Sequence, residues 1–205
     1  MKRWLIFPIL MIFVLSSSTV CAQNDAPLGK GQLAIKVDYI NFTDSDLDNF
    51  DVDTDVYVGL EGYIKVKNAP NLYLGGEVGY TGPDGSTTVY VLGVPVRADV
   101  DVTYVPIEIN AKWIFDIGNS LTLGFGGGLS ENYIDLNTKA TAMGMAIGDS
   151  DDDWIFGGQF LLDLNYSSGH LFYGIDAKYK ITEEYKDEGT KFGNFAVGAH
   201  VGWMF

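Results

Sequence analysis

The chain has 205 residues, 27 acidic against 13 basic side chains and a formal charge of −14, with 25 glycines, 12 phenylalanines and 12 tyrosines. So acidic a chain, with Arg3 and Arg97 as its only arginines, has no basic footprint for a nucleic acid, which excludes that partner class. A single cysteine, Cys21, excludes an intramolecular disulfide, and beyond the N-terminus no apolar run is long enough for a membrane helix.

Lys2 and Arg3 precede twelve apolar residues, Trp4 to Leu15, and a small-residue stretch ending Val20-Cys21-Ala22. That is the layout of an export signal, too short to span a bilayer as a helix, which needs about 20 apolar residues. Cys21 could instead become a lipidated N-terminus, but Val20 before it is bulky for that processing. Cleavage after Ala22 removes 22 of the 205 residues, leaving 183 with no cysteine and, without Lys2 and Arg3, a charge of −16. Residues 23–205 then read as one domain.

Read with a period of two, this mature chain offers eight strands, each with one apolar face. The first, Gln32 to Ile40, sets Leu33, Ile35, Val37 and Tyr39 against Lys36 and Asp38. In the second, Val56, Val58, Leu60 and Ile64 oppose Tyr57, Glu61, Tyr63 and Lys65; in the third, Leu72, Leu74, Val78 and Tyr80 oppose Tyr73 and Glu77. The fourth alternates Val105, Ile107, Ile109, Ala111 and Trp113 with Glu108, Asn110 and Lys112. The fifth, Leu121 to Leu129, has an inner face reduced to Thr122, Gly124, Gly126 and Gly128. In the sixth, Trp154, Phe156, Phe160, Leu162 and Leu164 face away from Gln159, Asp163 and Asn165. The seventh sets Leu171, Tyr173, Ile175, Ala177, Tyr179 and Ile181 against Asp176, Lys178 and Lys180. The last runs Phe195, Val197, Ala199, Val201, Trp203, Phe205 on one face, with small residues and His200 on the other. Uninterrupted apolar faces on strands of about 9 to 11 residues suit lipid outside and polar groups inside.

Connections alternate in length. Lys67 to Asn71, Asp116 to Ser120 and Ser167 to His170 are short and turn-like. Thr43 to Asp53, Gly82 to Asp99, Glu131 to Asp153 and Glu183 to Lys191 read as longer, more polar loops. Short periplasmic turns and long outer loops put both termini in the periplasm. The segment Ser86 to Tyr104 is also strand-like: an added hairpin would make ten strands, and an extension of strands three and four above the membrane keeps eight. Apolar parity slips between Val102 and Val105, which predicts a bulge at the outer rim and favours the extension, with Pro106 facing inward.

The signal segment, the phrase Tyr104-Val-Pro-Ile-Glu-Ile-Asn-Ala-Lys-Trp113, the glycine-rich fifth strand and the Val201-Gly-Trp-Met-Phe205 ending together resemble the small outer-membrane barrels of the OmpA/OmpX type, in the opacity-like porin superfamily. The resemblance covers nearly the whole mature chain. It implies an all-β, eight-stranded antiparallel transmembrane barrel in the outer membrane of a Gram-negative-type cell, monomeric and surrounded by lipid and lipopolysaccharide. Its C-terminal strand, with Trp203 and Phe205 as the insertion end, would be offered to the barrel-assembly machinery. No peptidoglycan-binding domain follows Phe205, so the anchoring role of two-domain relatives is not implied.

Within such a barrel Lys36, Asp38, Glu61, Lys65, Glu77, Glu108, Lys112, Asp163, Asp176, Lys178, Lys180 and His200 all point inward. An eight-stranded lumen is just wide enough to be filled by side chains, so a paired charge network is expected ahead of an ion path. Asp44, Asp46, Asp48 and Asp55 occupy positions one, three, five and twelve of a calcium-type frame, but Asn49 stands where that loop has glycine, and strands flank it. With Asp149, Asp151, Asp152 and Asp153 they read better as an acidic rim, loosely able to bridge divalent ions to lipopolysaccharide. No cofactor site is expected. A lipid A-modifying hydrolase would need a base beside a serine, and neither His170 nor His200 has that pairing. The bare inner face of the fifth strand raises a further alternative, a conduit for small hydrophobic molecules, unless Tyr57, Tyr63, Tyr73 or Phe172 fills it. The sequence therefore predicts a non-catalytic barrel with a structural, surface-interaction or narrow-pore role.

Overall fold

Alternation with few helix-favouring segments produces nine strands in the computed structural model, which describes residues 28–48, 50, 52–186 and 189–205. The export-signal segment lies outside those residues. The strands are β1 (Gly31–Phe42), β2 (Thr54–Lys65), β3 (Leu72–Tyr80), β4 (Asp84–Val91), β5 (Val94–Gly118), β6 (Leu121–Ala142), β7 (Met145–Ser168), β8 (Leu171–Thr182) and β9 (Asn194–Met204), with one helical turn, α1 (Ser45–Asp48). Eight of them pair antiparallel in the order β3-β2-β1-β9-β8-β7-β6-β5, and β5 returns to β3 to close the ring. Closure leaves no unpaired edge within the ring, as spanning backbone requires in lipid.

Each ring strand turns its apolar side outward. On β1, Leu33, Ile35, Val37 and Tyr39 are exposed while Gln32, Ala34, Lys36 and Asp38 are buried, and β9 repeats this from Phe195 to Trp203. The outward aromatics form two rings. Tyr39, Tyr80, Trp154 and Tyr179 sit toward the long-hairpin end, whereas Trp113, Tyr166 and Trp203 sit toward the short-turn end. Trp154 and Tyr166 are twelve residues apart on β7. At about 3.3 Å per residue and a tilt near 40°, that separation spans about 30 Å along the barrel axis, the thickness of a bilayer core.

The extension of the third and fourth ring strands that the sequence favours is present. β5 runs continuously from Val94, and β4 pairs with its upper part, from Asp84↔Asp101 to Val91↔Val94. Eight strands therefore span, and β4 extends the line of β3 above them. No bulge is present near Val102–Val105: the β5–β6 register is unbroken from Arg97↔Thr141 to Asp116↔Thr122. The irregularity lies on the other flank. β3–β5 pairing stops at Val78↔Ile107 and resumes as the isolated bridge Thr81↔Tyr104. Hydrogen-bonded pairs recur at alternate residues, so Pro106, which has no N–H to give, falls in that gap.

What changes at Val102 is the polarity of the faces, not their parity. Val100, Val102, Tyr104, Pro106, Glu108, Asn110 and Lys112 all point inward along one unbroken alternation. From Glu108 to Lys112 the inward residues are polar; above Pro106 they are apolar, and the outward ones become Asp99, Asp101 and Thr103. The outer surface switches from apolar to polar where lipid gives way to water.

The segment 131–153, expected as a polar loop, is likewise the upper part of a β6–β7 hairpin whose tip is Met143-Gly144. Together β4, β5, β6 and β7 raise a four-stranded sheet above the ring.

Candidate functional site

The barrel interior is the site the sequence predicts, and it is organised in three layers. Toward the short turns, Leu28, Ala34, Tyr63, Tyr73, Ile114, Phe172 and Met204 form a buried apolar layer. Toward the hairpins, a larger one gathers Ile40, Phe42, Val100, Val102, Tyr104, Ile134, Ile155 and Phe192, onto which Leu47 of α1, Val52 and Tyr185 fold from the loops. Phe42 meets Tyr104 edge-on at 5.4 Å between centroids, and Tyr104 stacks on Phe192 at 6.4 Å.

Between these layers the polar side chains form one connected chain. Glu61 of β2 lies 3.4 Å from Lys112 of β5, which lies 3.0 Å from Asp163 of β7. Asn165 donates to Asp163 at 2.5 Å and meets His200 Nε2, whose Nδ1 is 3.0 Å from Asp176. Asp176 pairs with Lys36 at 2.7 Å, and Lys36 reaches Asp38 at 2.9 Å and Glu77 at 3.8 Å. From Glu77 the chain continues through Lys178 at 2.7 Å to Glu108 at 2.9 Å, then to Lys180 at 2.8 Å. Lys180 donates to Asn132 Oδ1 at 3.1 Å, which also accepts the Tyr104 hydroxyl at 2.8 Å. Every ring strand contributes a member, so the chain staples the barrel across its diameter as well as around it.

Of the inward residues expected to pair, only Lys65 stays out of these ion pairs. It stands half-buried at the short-turn end of β2. Sequence reasoning missed the contribution of Tyr57, Tyr104, Asn132 and Gln159, which finish the hydrogen bonding of Glu77 and Glu108 or link them to the apolar layer. Their inward parity was the available signal. The whole set is desolvated: Lys36, Glu77, Glu108, Lys112, Lys178 and Lys180 each expose 4 % or less of their surface. A cavity between the ionic chain and the hairpin-side layer, lined by Asp38, Tyr57, Lys178, Lys180 and Asn194 among others, has a volume of about 10 Å³, the space of a single water at most.

The glycine face of β6 is not hollow. A Cβ on Gly124 would strike the Asp163 carboxylate, and one on Gly128 would strike the Asn110 side chain. A carboxylate and an amide fill that space, not the aromatic rings expected there. Those rings cover other glycines: Tyr57 lies over Gly79, Tyr63 against Gly75 and Phe172 against Gly202.

The candidate calcium frame is dispersed. Asp55 accepts hydrogen bonds from Thr81 Oγ1 at 2.6 Å and Gly82 N at 2.9 Å, fastening β2 to the end of β3. Asp44 instead accepts from Lys191 N at 2.7 Å, and Asp48 lies one helical turn on in α1 with Asp46. Among the described residues no group of three or more His, Cys, Asp or Glu is gathered to hold a metal. Strand alternation divides the second acidic cluster too, with Asp149, Asp151 and Asp153 on one face of β7 and Asp152 on the other. His170 stacks on Trp203 at 5.3 Å and its Nδ1 lies 3.2 Å from the Met204 carbonyl.

The family model for the outer membrane protein beta-barrel domain matches residues 10–205. Among solved structures, Neisserial surface protein A superposes with a TM-score of 0.56 at 11% identity, covering 86% of this chain and 98% of that one. A major outer membrane protein from Thermus thermophilus gives 0.50 at 10% identity, over 85% and 99%. Ail, the attachment invasion locus protein of Yersinia pestis, gives 0.49 at 15% identity, over 85% and 99%. No protein of curated function matches the sequence significantly.

Proposed function

The chain belongs to the outer membrane protein beta-barrel domain family, and from that premise we propose that it is a sealed, non-catalytic barrel whose work is done by the sheet it raises above the membrane. One observation carries this reading: the desolvated ionic chain lies between two apolar layers, so ions crossing the lumen would have to break buried pairs and then pass Tyr104 and Phe192 on one side and Tyr73 and Phe172 on the other. Side chains fill an eight-stranded lumen as a matter of diameter, and here the lysines and carboxylates of the ionic chain also pair with one another.

The test is a planar-bilayer recording of the refolded protein. Absence of steady conductance steps supports the sealed barrel, and reproducible steps that change when Glu108 is replaced by Gln would overturn it. A hydrolase reading finds no serine or threonine hydrogen-bonded to either histidine among the described residues: His200 meets Asp176 and Asn165, and His170 meets Trp203 and a backbone carbonyl. A conduit reading would need an inner hollow where Asp163 and Asn110 stand.

The same reading places the short turns and both termini in the periplasm and the hairpins in lipopolysaccharide, with residues 1–22 removed on export. It leaves the barrel monomeric, with the Trp203–Phe205 end serving the assembly machinery. Protease added to intact cells should cut at the hairpin tips and not at the turns.

A further inference from the structure

The projecting sheet has an unusual inner face. Residues above the hairpin-side apolar layer continue its alternation, giving cross-strand rows of which one is Thr87–Ala98–Ala140–Ile147 and the next contains Val89, Val96 and Met145. The chain's own loops cover this face only as far as Val100 and Val102, which are buried. Higher up, Val89, Met145 and Ile147 are exposed by 48%, 72% and 79%. Lower rows of the same face end on β7 in carboxylates: Asp149 follows Thr138, Asp151 follows Leu136 and Asp153 follows Ile134. Among the described residues β8 stops pairing with β7 at Gly157↔Thr182, with one further backbone bond from Glu183 to Phe156, so no strand flanks this acidic column on its outer side.

We propose that this inner face of the β4–β7 sheet is a docking surface for a cationic amphipathic polypeptide segment, whose apolar side chains lie on Val89, Met145 and Ile147 while its lysines or arginines meet Asp149 and Asp153, on either side of the Asp151 that Lys186 holds. The inference rests on the reading of the projecting sheet as the working part. A contiguous exposed apolar face rimmed by charge marks an interaction surface, and the sign of the rim selects the partner. A second copy of the chain or an anionic glycolipid would bring negative charge against a molecule already at −14. The chain itself supplies the precedent: Lys186, from the β8–β9 loop, pairs with Asp151, and that hydrogen bond together with Asp153 and Asp152 holds its ammonium above the usual lysine range.

The experiment uses the full barrel in zwitterionic lipid nanodiscs and a fluorescent 12-residue peptide of alternating lysine and leucine, with a glutamate–leucine peptide and empty nanodiscs as references. Anisotropy should show tighter binding of the lysine peptide to barrel discs than to empty discs. That excess should fall about tenfold in the M145D/I147D double variant, fall similarly in D149N/D153N, and weaken with salt as exposed charge pairs do. Heat-modifiable migration on gels checks that both variants are folded; their tips lie outside the ring. Equal binding to empty discs, equal binding by both variants, or preference for the glutamate peptide would overturn the proposal. Conductance is read separately, so a conducting barrel that still binds the peptide refutes the sealed lumen alone, and a sealed barrel that ignores it refutes the partner alone.

Discussion

Replacing Lys178 by Met removes one charge from the centre of the lumen while keeping most of the side-chain volume. Lys178 Nζ is 2.7 Å from Glu77 and 2.9 Å from Glu108, and it is 4 % exposed. After the change Glu108 keeps Lys180 at 2.8 Å and the amides of Asn110 and Gln159 at 3.2 and 3.3 Å. Glu77 keeps the Tyr57 hydroxyl at 2.7 Å but its remaining cation, Lys36, is 3.8 Å away. The penalty therefore falls on Glu77, a buried carboxylate left with a hydroxyl and a distant ammonium, and removal of one partner of a buried pair costs about 3 to 5 kcal/mol. Adding Glu77→Gln should return about half of that loss, because the orphaned charge goes with it, and the coupling between the two positions should lie near the upper end of the 0.5–3 kcal/mol seen for contacting residues. Adding Glu108→Gln instead should help less, since it strips Lys180 of its carboxylate. Urea unfolding of the refolded barrel in lipid vesicles, followed through Trp113, Trp154 and Trp203, measures all three. A single-variant cost below about 1 kcal/mol, the size expected for an exposed pair, would mean that water reaches Lys178 and would refute the desolvated lumen.

Three further outcomes follow from the same packing. Ile175, 61% exposed and on β8 midway between Tyr179 and Leu171, the partner of Trp203, should cost about 2 to 4 kcal/mol when changed to Lys, whereas Leu171→Lys near the turn should cost about 0 to 1; equal costs in vesicle unfolding would contradict the assigned membrane depth. Gly124→Val puts a side chain into the Asp163 carboxylate and away from its pair with Lys112, so it should destabilise by about 3 kcal/mol or more, and a variant that refolds with unchanged urea midpoint would show the inner face of β6 to be open. At the β6–β7 tip, Met143 holds a φ of +50° before Gly144. Met143→Asn should relieve about 1 kcal/mol of local strain and slow protease nicking there, and unchanged nicking would mean that the tip is not ordered as a tight turn.

Much of the fold is written in alternation, because lipid imposes one rule on every spanning strand. The outward series Leu33–Tyr39 and Phe195–Trp203 is legible without a structure, and so is the short-turn end, where Asn68, Asn71 and Asn119 adopt positive φ, as asparagine does most readily among non-glycine residues. The hairpins were harder to read. Their tips, Leu92-Gly93 and Met143-Gly144, have positive φ at both positions, the geometry of a two-residue turn that usually announces itself with Asn or Asp. Met143 hides that signal, so the stretch around it reads as a loop, whereas the strand-like stretches on either side of Leu92 keep the first hairpin legible. The supposed bulge at Val102 has a similar origin: a polarity reversal along an unbroken strand looks like a slipped register if one face is assumed apolar throughout. For the lumen, parity names which residues point inward, but it carries no height. The partners of Lys178 and the isolation of Lys65 depend on strand stagger, which only the closed ring supplies.

Sealing and display are linked through shared residues. Tyr104 donates to Asn132, the last member of the ionic chain, and its ring stacks on Phe192 in the layer above. Val100, Val102 and Ile134 belong to that layer and are also the roots of the projecting sheet. A wet path past this end would have to part the aromatic stack and the loop residues Leu47, Val52 and Tyr185 from the roots of β5 and β6. The sheet would then lose the packing that holds it upright. A barrel selected to conduct would gain by separating those two tasks. On the proposed reading the same side chains would perform both, and the filled lumen would serve the rigid presentation of the inner sheet face.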